Sequence, residues 1–421
     1  MLLGAIADDL TGATDLALTL SREGMRTVQV VGVPQEGFDF GDAEAVVLAL
    51  KSRTLPADEA VSQSLAALAC LRTSNVRQVI FKYCSTFDST PEGNIGPVTD
   101  ALLAALGEPF TVVCPAFPTN GRTVYRGNLF VGNVLLSESS MKDHPLTPMT
   151  DSNLVRLMQA QTHLPVDLIN RDVVMRGSAA IREAFARAVV AGTRILVVDA
   201  ICDDDLRTIG EALADVGLVT GGSGIALGLP ENFRRAGVLA TRKKTASFAA
   251  PAGRAVMLAG SCSQATREQI EATIANGTPT FQIVPLDIAS GTLTPENAIN
   301  WAVAQHAAIP LIYSSADPDV VRFTQNRLGR EKAGALIERF LGDVAMALRS
   351  RGFSQFVVAG GETSGAVVKA LGVSALLIGP EIDPGVPWTL SFGNAKPVAL
   401  ALKSGNFGTI DFFSKAWNLL S

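Results

Sequence analysis

The chain has 421 residues, 48% hydrophobic and 18% charged, a composition that supplies a large core and excludes a disordered chain. Forty acidic residues against 35 basic ones leave a net charge of −5, and no basic run exceeds Arg242-Lys243-Lys244, which argues against nucleic acid as a partner. There is no run of eighteen apolar residues to span a membrane and no signal-peptide pattern at the start, and five scattered cysteines without a CxxC pair fit reduced thiols in a cytoplasm.

The first fifteen residues, MLLGAIADDLTGATD, set the pattern. Leu2 to Ala7 reads as a short buried strand. Asp8 and Asp9 follow, and Thr11 offers an N-cap to a helix with Ala13, Leu16, Ala17 and Leu20 at helical spacing. Two acids thus stand where a strand hands over to a helix, the edge at which α/β sheets bind ligands. Paired negative charge there is costly unless a ligand, a metal or cationic side chains meet it. As neighbours on an extended strand end, the two side chains are expected to point in opposite directions and to do different jobs. The plainer alternative is that Asp9 or Thr11 caps the helix and Asp8 is solvated.

Further strands are expected at Thr27–Val31, Ala45–Leu50 and Gln78–Cys84, with a helix through Ala60, Leu65, Leu68 and Leu71 before the last of these. Gly93-Asn94-Ile95-Gly96 opens another helix, and Thr111–Cys114 is another strand. The stretch from Asn120 to Thr150 is polar, rich in Gly, Ser and Pro, and lacks helical period; it reads as a lid-like insertion. Asp151 is expected to cap a helix through Leu157. Arg194–Asp199 returns to a buried strand, and Val219 to Gly224 ends another.

Between about Leu229 and Gly253 the composition shifts to Pro, Arg, Lys, Ser and Ala without apolar period. A second series follows, with strands Ala255–Leu258, Thr280–Val284, Pro310–Tyr313 and Phe356–Val358 and a long helix Glu331–Arg349. The fold class expected is α/β, as two α/β domains with largely parallel sheets, residues 1–235 and 250–421.

Three strand ends in the second half are rich in small polar residues: Ala259 to Ser263, Gly360 to Gly365, and Lys403 to Gly408. Backbone N–H groups at a strand-to-helix junction, with glycines that permit close approach, form an anion site. No GxxxxGK[ST] occurs. The first half offers instead Asp8, Asp9, Arg53, Ser85, Thr86, Asp88, Ser89 and Asn94, a set suited to a polyhydroxy acid, with Arg53 able to fork onto a carboxylate. Each also has a bland reading as a cap, a turn residue or a surface pair.

Gly222 to Gly228 follows a strand as in dinucleotide-binding folds, but Arg242-Lys243-Lys244-Thr245 stands where the acidic residue belongs, so helix–strand packing or ligand contact is preferred to nicotinamide binding. Cys84 and Cys262 lie at strand ends without a histidine partner and read as buried thiols. His144 is the histidine placed nearest a site.

Several strings carry a family resemblance. IADDLTGA (Ile6–Ala13), KSRT (Lys51–Thr54), FKYCSTFDSTPEGNIGP (Phe81–Pro97), PAFPTNGRTVYRGNLFV (Pro115–Val131), HPLTPMTDSNL (His144–Leu154), AGSCS (Ala259–Ser263) and GGETSGAVV (Gly360–Val368) resemble the four-carbon acid sugar kinase family, its 3-oxo-tetronate branch above the threonate and erythronate branches. The resemblance implies ATP-dependent phosphorylation of the 4-hydroxyl of a four-carbon acid sugar. It also implies an acid-sugar domain and an ATP domain facing across a cleft. Carried over by position, Asp8 and Asp9 are the catalytic candidates. Arg53, Ser85, Thr86, Asp88, Ser89 and Asn94 would hold the substrate, and Ser261, Gly360, Gly361, Glu362, Thr363 and Gly405 would hold ATP. Mg²⁺ is expected with ATP, its ligands unplaced, and a homodimer is left open. Leu10 and Ser140 depart from the family pattern where Phe and Gly are usual. A sugar-acid sensor without turnover is the alternative from another class.

Overall fold

The computed structural model describes residues 1–143, 147–240 and 248–420. His144 and the Arg242-Lys243-Lys244-Thr245 stretch lie outside them. The chain divides into two compact units, Met1–Lys244 and Thr245–Ser421.

The first unit is built on β1 (Leu3–Ala7), β2 (Thr27–Val31), β3 (Ala45–Ala49), β4 (Gln78–Lys82) and β5 (Thr111–Cys114). The small strands β6 (Arg122–Tyr125), β7 (Asn128–Val131) and β8 (Val134–Leu135) come next, then β9 (Val166–Ile169), β10 (Ile195–Val198) and β11 (Leu218–Gly221). Its helices are α1 (Leu10–Arg22), α2 (Ala57–Thr73), α3 (Ile95–Leu106), α4 (Leu154–Gln159), α5 (Arg171–Val174), α6 (Ser178–Val190), α7 (Asp203–Ala212) and α8 (Leu229–Arg235). The main sheet runs β2-β3-β1-β4-β11-β5-β10-β9, all neighbours parallel. Apolar runs such as Leu3–Ala7 and Ala45–Ala49 are buried along their whole length, as a parallel sheet covered on both faces requires. The strand order reverses between β1 and β4, and their carboxyl ends carry Asp8 and Lys82. That reversal is where open α/β sheets leave a crevice.

The second unit contains β12 (Arg254–Ala259), β13 (Thr280–Gln282), β14 (Leu311–Tyr313), β15 (Phe353–Ala359), β16 (Ala375–Asp383), β17 (Val386–Ser391) and β18 (Ala399–Lys403). Its helices are α9 (Gln264–Ala275), α10 (Pro285–Ser290), α11 (Pro295–Ala304), α12 (Pro318–Leu328), α13 (Arg330–Ser350), α14 (Gly361–Ala370) and α15 (Phe412–Lys415). The order is β13-β14-β12-β15-β18-β17-β16, parallel except that β17 is antiparallel to both neighbours. Side chains alternate across this sheet. Val256, Leu258, Phe356 and Val358 pack against α13 and α14 residues such as Leu341 and Val367. Met257, Ala259, Val357 and Ala359 lie in the opposite cluster with Trp388 and Phe412.

Four local expectations are corrected. Asp9, not Thr11, caps α1, accepting from Gly12 N at 3.0 Å, because the helix already begins at Leu10, two residues before a Thr11 cap would start it. Asn153, not Asp151, caps α4, accepting from Arg156 N at 3.0 Å; Asp151 instead takes the Arg156 guanidinium at 2.6 and 2.8 Å. Part of the irregular insertion is a three-stranded antiparallel sheet, β6-β7-β8. Its first turn, Arg126-Gly127, has φ of 50° and 72°, the left-handed pair that a two-residue hairpin favours. The β16–β17 hairpin is absent from the expected strands; it contains Pro380 and Pro387 and pairs antiparallel with irregular register near them.

The glycine run after β11 serves backbone packing. A Cβ on Gly221 would stand 2.2 Å from Cys114 O, on Gly222 2.7 Å from Pro115 O, and on Gly224 2.4 Å from Ala116 O. Contacts that close to rigid backbone cannot be relieved by a rotamer change. Gly224→Ala should therefore destabilise the first unit by about 1–3 kcal/mol, read as a lower urea midpoint. An unchanged midpoint would show that the chain tolerates a side chain at this approach.

Candidate functional site

At the carboxyl edge of the first unit, β1 ends at Ala7 and the chain bends through Asp8 and Asp9. The turn after β3 brings Arg53 to them: Ser52 N and Arg53 N donate to Asp8 O at 2.9 and 3.2 Å. The Arg53 guanidinium then takes both carboxylates. Nε and Nη2 donate to the two Asp8 oxygens at 2.8 Å each, and Nη2 also reaches Asp9 Oδ1 at 2.6 Å. The expectation that the two acids point apart is thus overturned. Strand alternation stops at Ala7, and the shared cation draws both side chains to one side. Arg53 spends its planar fork on Asp8, so the nitrogen it turns elsewhere is Nη1, 4.0 Å from Asp88 Oδ2.

The two acids remain inequivalent. Both Asp8 oxygens are held by Arg53, and the Asp8 side chain is 5% exposed. Asp9 has one oxygen committed, to Gly12 N and Arg53, and its side chain is 27% exposed. Burial pushes the Asp9 carboxyl above its ordinary range; Arg53 opposes this, the Asp8 charge adds to it, and Lys82 and the Gly12 N–H oppose it. Burial pulls the Arg53 pKa down, but Asp8 and Asp9 more than reverse this and keep it a permanent cation.

The β4 end supplies the next group. Thr86 donates to Asp88 Oδ1 at 2.7 Å, and Phe87 and Asp88 both adopt left-handed backbone, with φ of 65° and 43°. Non-glycine residues held there store strain that functional loops often carry. Ser85 is half-buried beside them. Ser89 accepts from Gln161 Nε2 at 2.9 Å. Asn94 Nδ2 donates to Ser52 O at 2.9 Å and Leu55 O at 3.0 Å. Asn94 therefore fastens the Arg53 turn to the start of α3, and Ser89 is fastened by Gln161. The Cys84 thiol is pushed up to about 11 by burial, so it stays protonated.

Sequence reasoning passed over three groups here. Lys82, 3% exposed, sends Nζ to Tyr83 O at 2.8 Å and lies so near α1 that a Cβ on Gly12 would stand 2.7 Å from it. A lysine closing an otherwise apolar strand was the available signal. Gln161 donates to Ser89 and accepts from Gly96 N at 3.0 Å, a tie with no local pattern. Asp199, fully buried at the end of β10, accepts from Arg126 N at 2.7 Å and Gly127 N at 2.9 Å, which anchors the β6–β7 turn.

In the second unit the reversal of strand order lies between β12 and β15, and their following turns are adjacent. Gly260 N donates to Ala359 O at 3.0 Å and Gly360 N to Lys403 O at 2.9 Å, which interlocks the ends of β12, β15 and β18. Ser261, Gly360 and Thr363 come together there, with Gly405 alongside. A Cβ on Gly260 would stand 2.2 Å from Thr363 Oγ1, one on Gly405 2.4 Å from Ser261 Oγ, and one on Gly360 3.0 Å from Thr363 Oγ1. Gly360, with φ of 124°, precedes α14 and supplies no side-chain cap to its first turn, the kind of helix start at which anions bind. Glu362 is exposed on that turn. Under these turns lies Lys403, 1% exposed.

Comparisons with known proteins agree with this division. Residues 3–229 match a family described as a sugar-binding N-terminal domain, and residues 256–413 one described as a nucleotide-binding C-terminal domain. A 3-oxo-tetronate kinase of Cupriavidus necator is 57% identical over 99% of this chain and 96% of its own length. One of Burkholderia multivorans is 57% identical over 100% and 97%. A solved structure from Salmonella typhimurium LT2, with a provisional tRNA synthase label, superposes at TM-score 0.91 with 44% identity, covering 100% of this chain and 99% of that one.

Removing the shared cation should expose its structural share. Arg53→Met leaves two neighbouring carboxylates uncompensated, and a broken buried pair costs about 3–5 kcal/mol. Urea unfolding should show a loss of that size at neutral pH. A loss under about 1 kcal/mol would mean that solvent or another cation can replace Arg53.

Proposed function

Because the chain belongs to the four-carbon acid sugar kinase family, we propose that it transfers the terminal phosphoryl group of ATP to the 4-hydroxyl of 3-oxo-tetronate, giving the 4-phosphate. The observation that carries the reading is the contrast between two strand edges. One presents carboxylates, hydroxyls and a guanidinium, the chemistry of a polyhydroxy acid. The other presents glycine-lined amides and small hydroxyls over a buried lysine, the chemistry of phosphate.

Residue roles follow from which atoms are already engaged. Asp9 keeps one carboxylate oxygen for a substrate hydroxyl, and its raised pKa makes it the better proton acceptor. Asp8 holds Arg53, and Arg53 Nη1 with the Ser85–Asp88 loop is left to meet the sugar acid. Ser261, the first turn of α14 and the turn at Gly405 hold the ATP phosphates. Among the described residues no three His, Cys, Asp or Glu side chains cluster around a cation site. Mg²⁺ fits without one, since it takes phosphate oxygens, waters and one or two carboxylates, and when bound it neutralises charge on the transferring group. All five cysteines are free thiols, which supports a cytoplasmic setting.

ADP release with 3-oxo-tetronate, threonate and erythronate tests the reading. The highest kcat/KM is expected on 3-oxo-tetronate; ATP binding without ADP release on any acid would make the chain a sensor instead. Asp9→Asn preserves the helix cap but removes the proton acceptor. It should lower kcat by at least ~10²-fold with ATP affinity intact. Near-normal kcat in that variant would move the base to Asp88.

A further inference from the structure

We propose that Lys403 is a positioning residue whose buried ammonium has no anionic partner among the described residues and finds it in the phosphates of the bound nucleotide. The inference rests on the reading that the turns after β12, β15 and β18 hold those phosphates. Lys403 closes β18, and its Nζ donates to three neutral oxygens: Thr266 Oγ1 at 3.0 Å, Ser404 O at 3.1 Å and Gly405 O at 3.0 Å. Thr266 Oγ1 itself donates to Gly405 O at 2.8 Å, and Lys403 O accepts from Gly360 N at 2.9 Å. One side chain therefore ties the Gly405 turn to α9 while its own backbone holds the start of α14.

Beyond these oxygens the ammonium meets the Phe412 ring, 5.9 Å from its centroid, and a buried ammonium with neutral neighbours alone is a costly arrangement. The titratable groups on the surrounding elements are Arg254 on β12 and Cys262 after it, Arg267, Glu268 and Glu271 on α9, Glu362 and Lys369 on α14, Glu381 and Asp383 on β16, and Asp411 and Lys415 at α15, and none of them shifts Lys403. Of the acids, Asp383 is paired with Lys415 at 2.5 Å, and Asp411 lies 3.5 Å from the same lysine. Arg267 is 3.9 Å from Asp317. Burial alone lowers the Lys403 pKa, to about 8, with no neighbouring charge opposing it. An anion arriving at the turns above would favour the protonated form. Nucleotide binding should then take up a proton, and affinity should fall as pH rises through the free-state pKa.

The test is calorimetric titration of ADP with Mg²⁺ into the full chain, in buffers of different ionisation heat. Phosphoryl groups have their last pKa near about 6, so the change at higher pH reports the protein. The expected result is affinity about tenfold weaker at about pH 9 than at about pH 7, with net proton uptake between. Lys403→Met should bind ADP more weakly at neutral pH, without pH dependence or proton uptake, and leave the KM for the acid sugar unchanged. Wild-type affinity flat in pH, or a folded Lys403→Met chain that binds ADP as tightly as wild type, overturns this inference and leaves the nucleotide reading standing. A wild-type chain that binds no nucleotide at any pH overturns both.

Discussion

Two carboxylates can sit at the end of a fully buried strand here only because one guanidinium lies between them. Arg53 holds Asp8 with two parallel hydrogen bonds and Asp9 with a third, so one guanidinium offsets one of the pair's two charges. Much of the surrounding structure serves to deliver that cation. Asp8 O accepts both amides of the Ser52–Arg53 turn, and Asn94 grips the carbonyls of the same turn from the start of α3. Gln161 in turn fixes Ser89 and α3. The acids, the turn and the helix are therefore one network, and the reactivity of Asp9 is set by how much of its charge that network leaves uncompensated.

Each unit reaches a reactive edge by the same route. A parallel sheet covered on both faces has its side chains committed to packing, so polar groups collect where strands end and order reverses. In both units a lysine closes the strand at this edge, is nearly inaccessible, and sends Nζ to the next residue's carbonyl: Lys82 to Tyr83 O and Lys403 to Ser404 O. The surroundings differ. Lys82 lies in the field of Asp9 and Asp15, whereas the three donors of Lys403 meet neutral oxygens. At the first edge the lysine is matched by carboxylates; at the second its charge is met by neutral oxygens alone.

The glycines divide along similar lines. Gly360 and Gly405 clear space around the hydroxyls of Thr363 and Ser261, while Gly221, Gly222 and Gly224 let β11 lie against the backbone of Cys114 to Ala116. Both groups follow strands and look alike as sequence. What separates them is the atom a Cβ would strike: a side-chain hydroxyl in the first group, a main-chain carbonyl in the second.

Periodicity and residue chemistry by themselves determined the α/β class, most strands of both units, and the two polar strand edges, because apolar runs and turn residues act over a few neighbouring positions. They also placed Asp8, Asp9 and Arg53 at one edge, and Ser261, Gly360 and Thr363 at another. Tertiary structure alone decided how these groups meet. That both acids share Arg53, 44 and 45 residues away in the chain, depends on β1 and β3 being adjacent. Gln161 and Lys403 drew no notice as site residues, since their partners lie 72 and 137 positions away, and Asn94, a candidate from its residue type, is turned by a partner 42 positions away to bracing the Arg53 turn. The β16–β17 hairpin, absent from the expected strands, contains two prolines whose cost its packing offsets, with Trp388 buried and bonded to Ala416 O at 2.8 Å. Local pattern reports what a residue can do; the partner that fixes its charge and direction comes from distant chain, and only folding brings the two together.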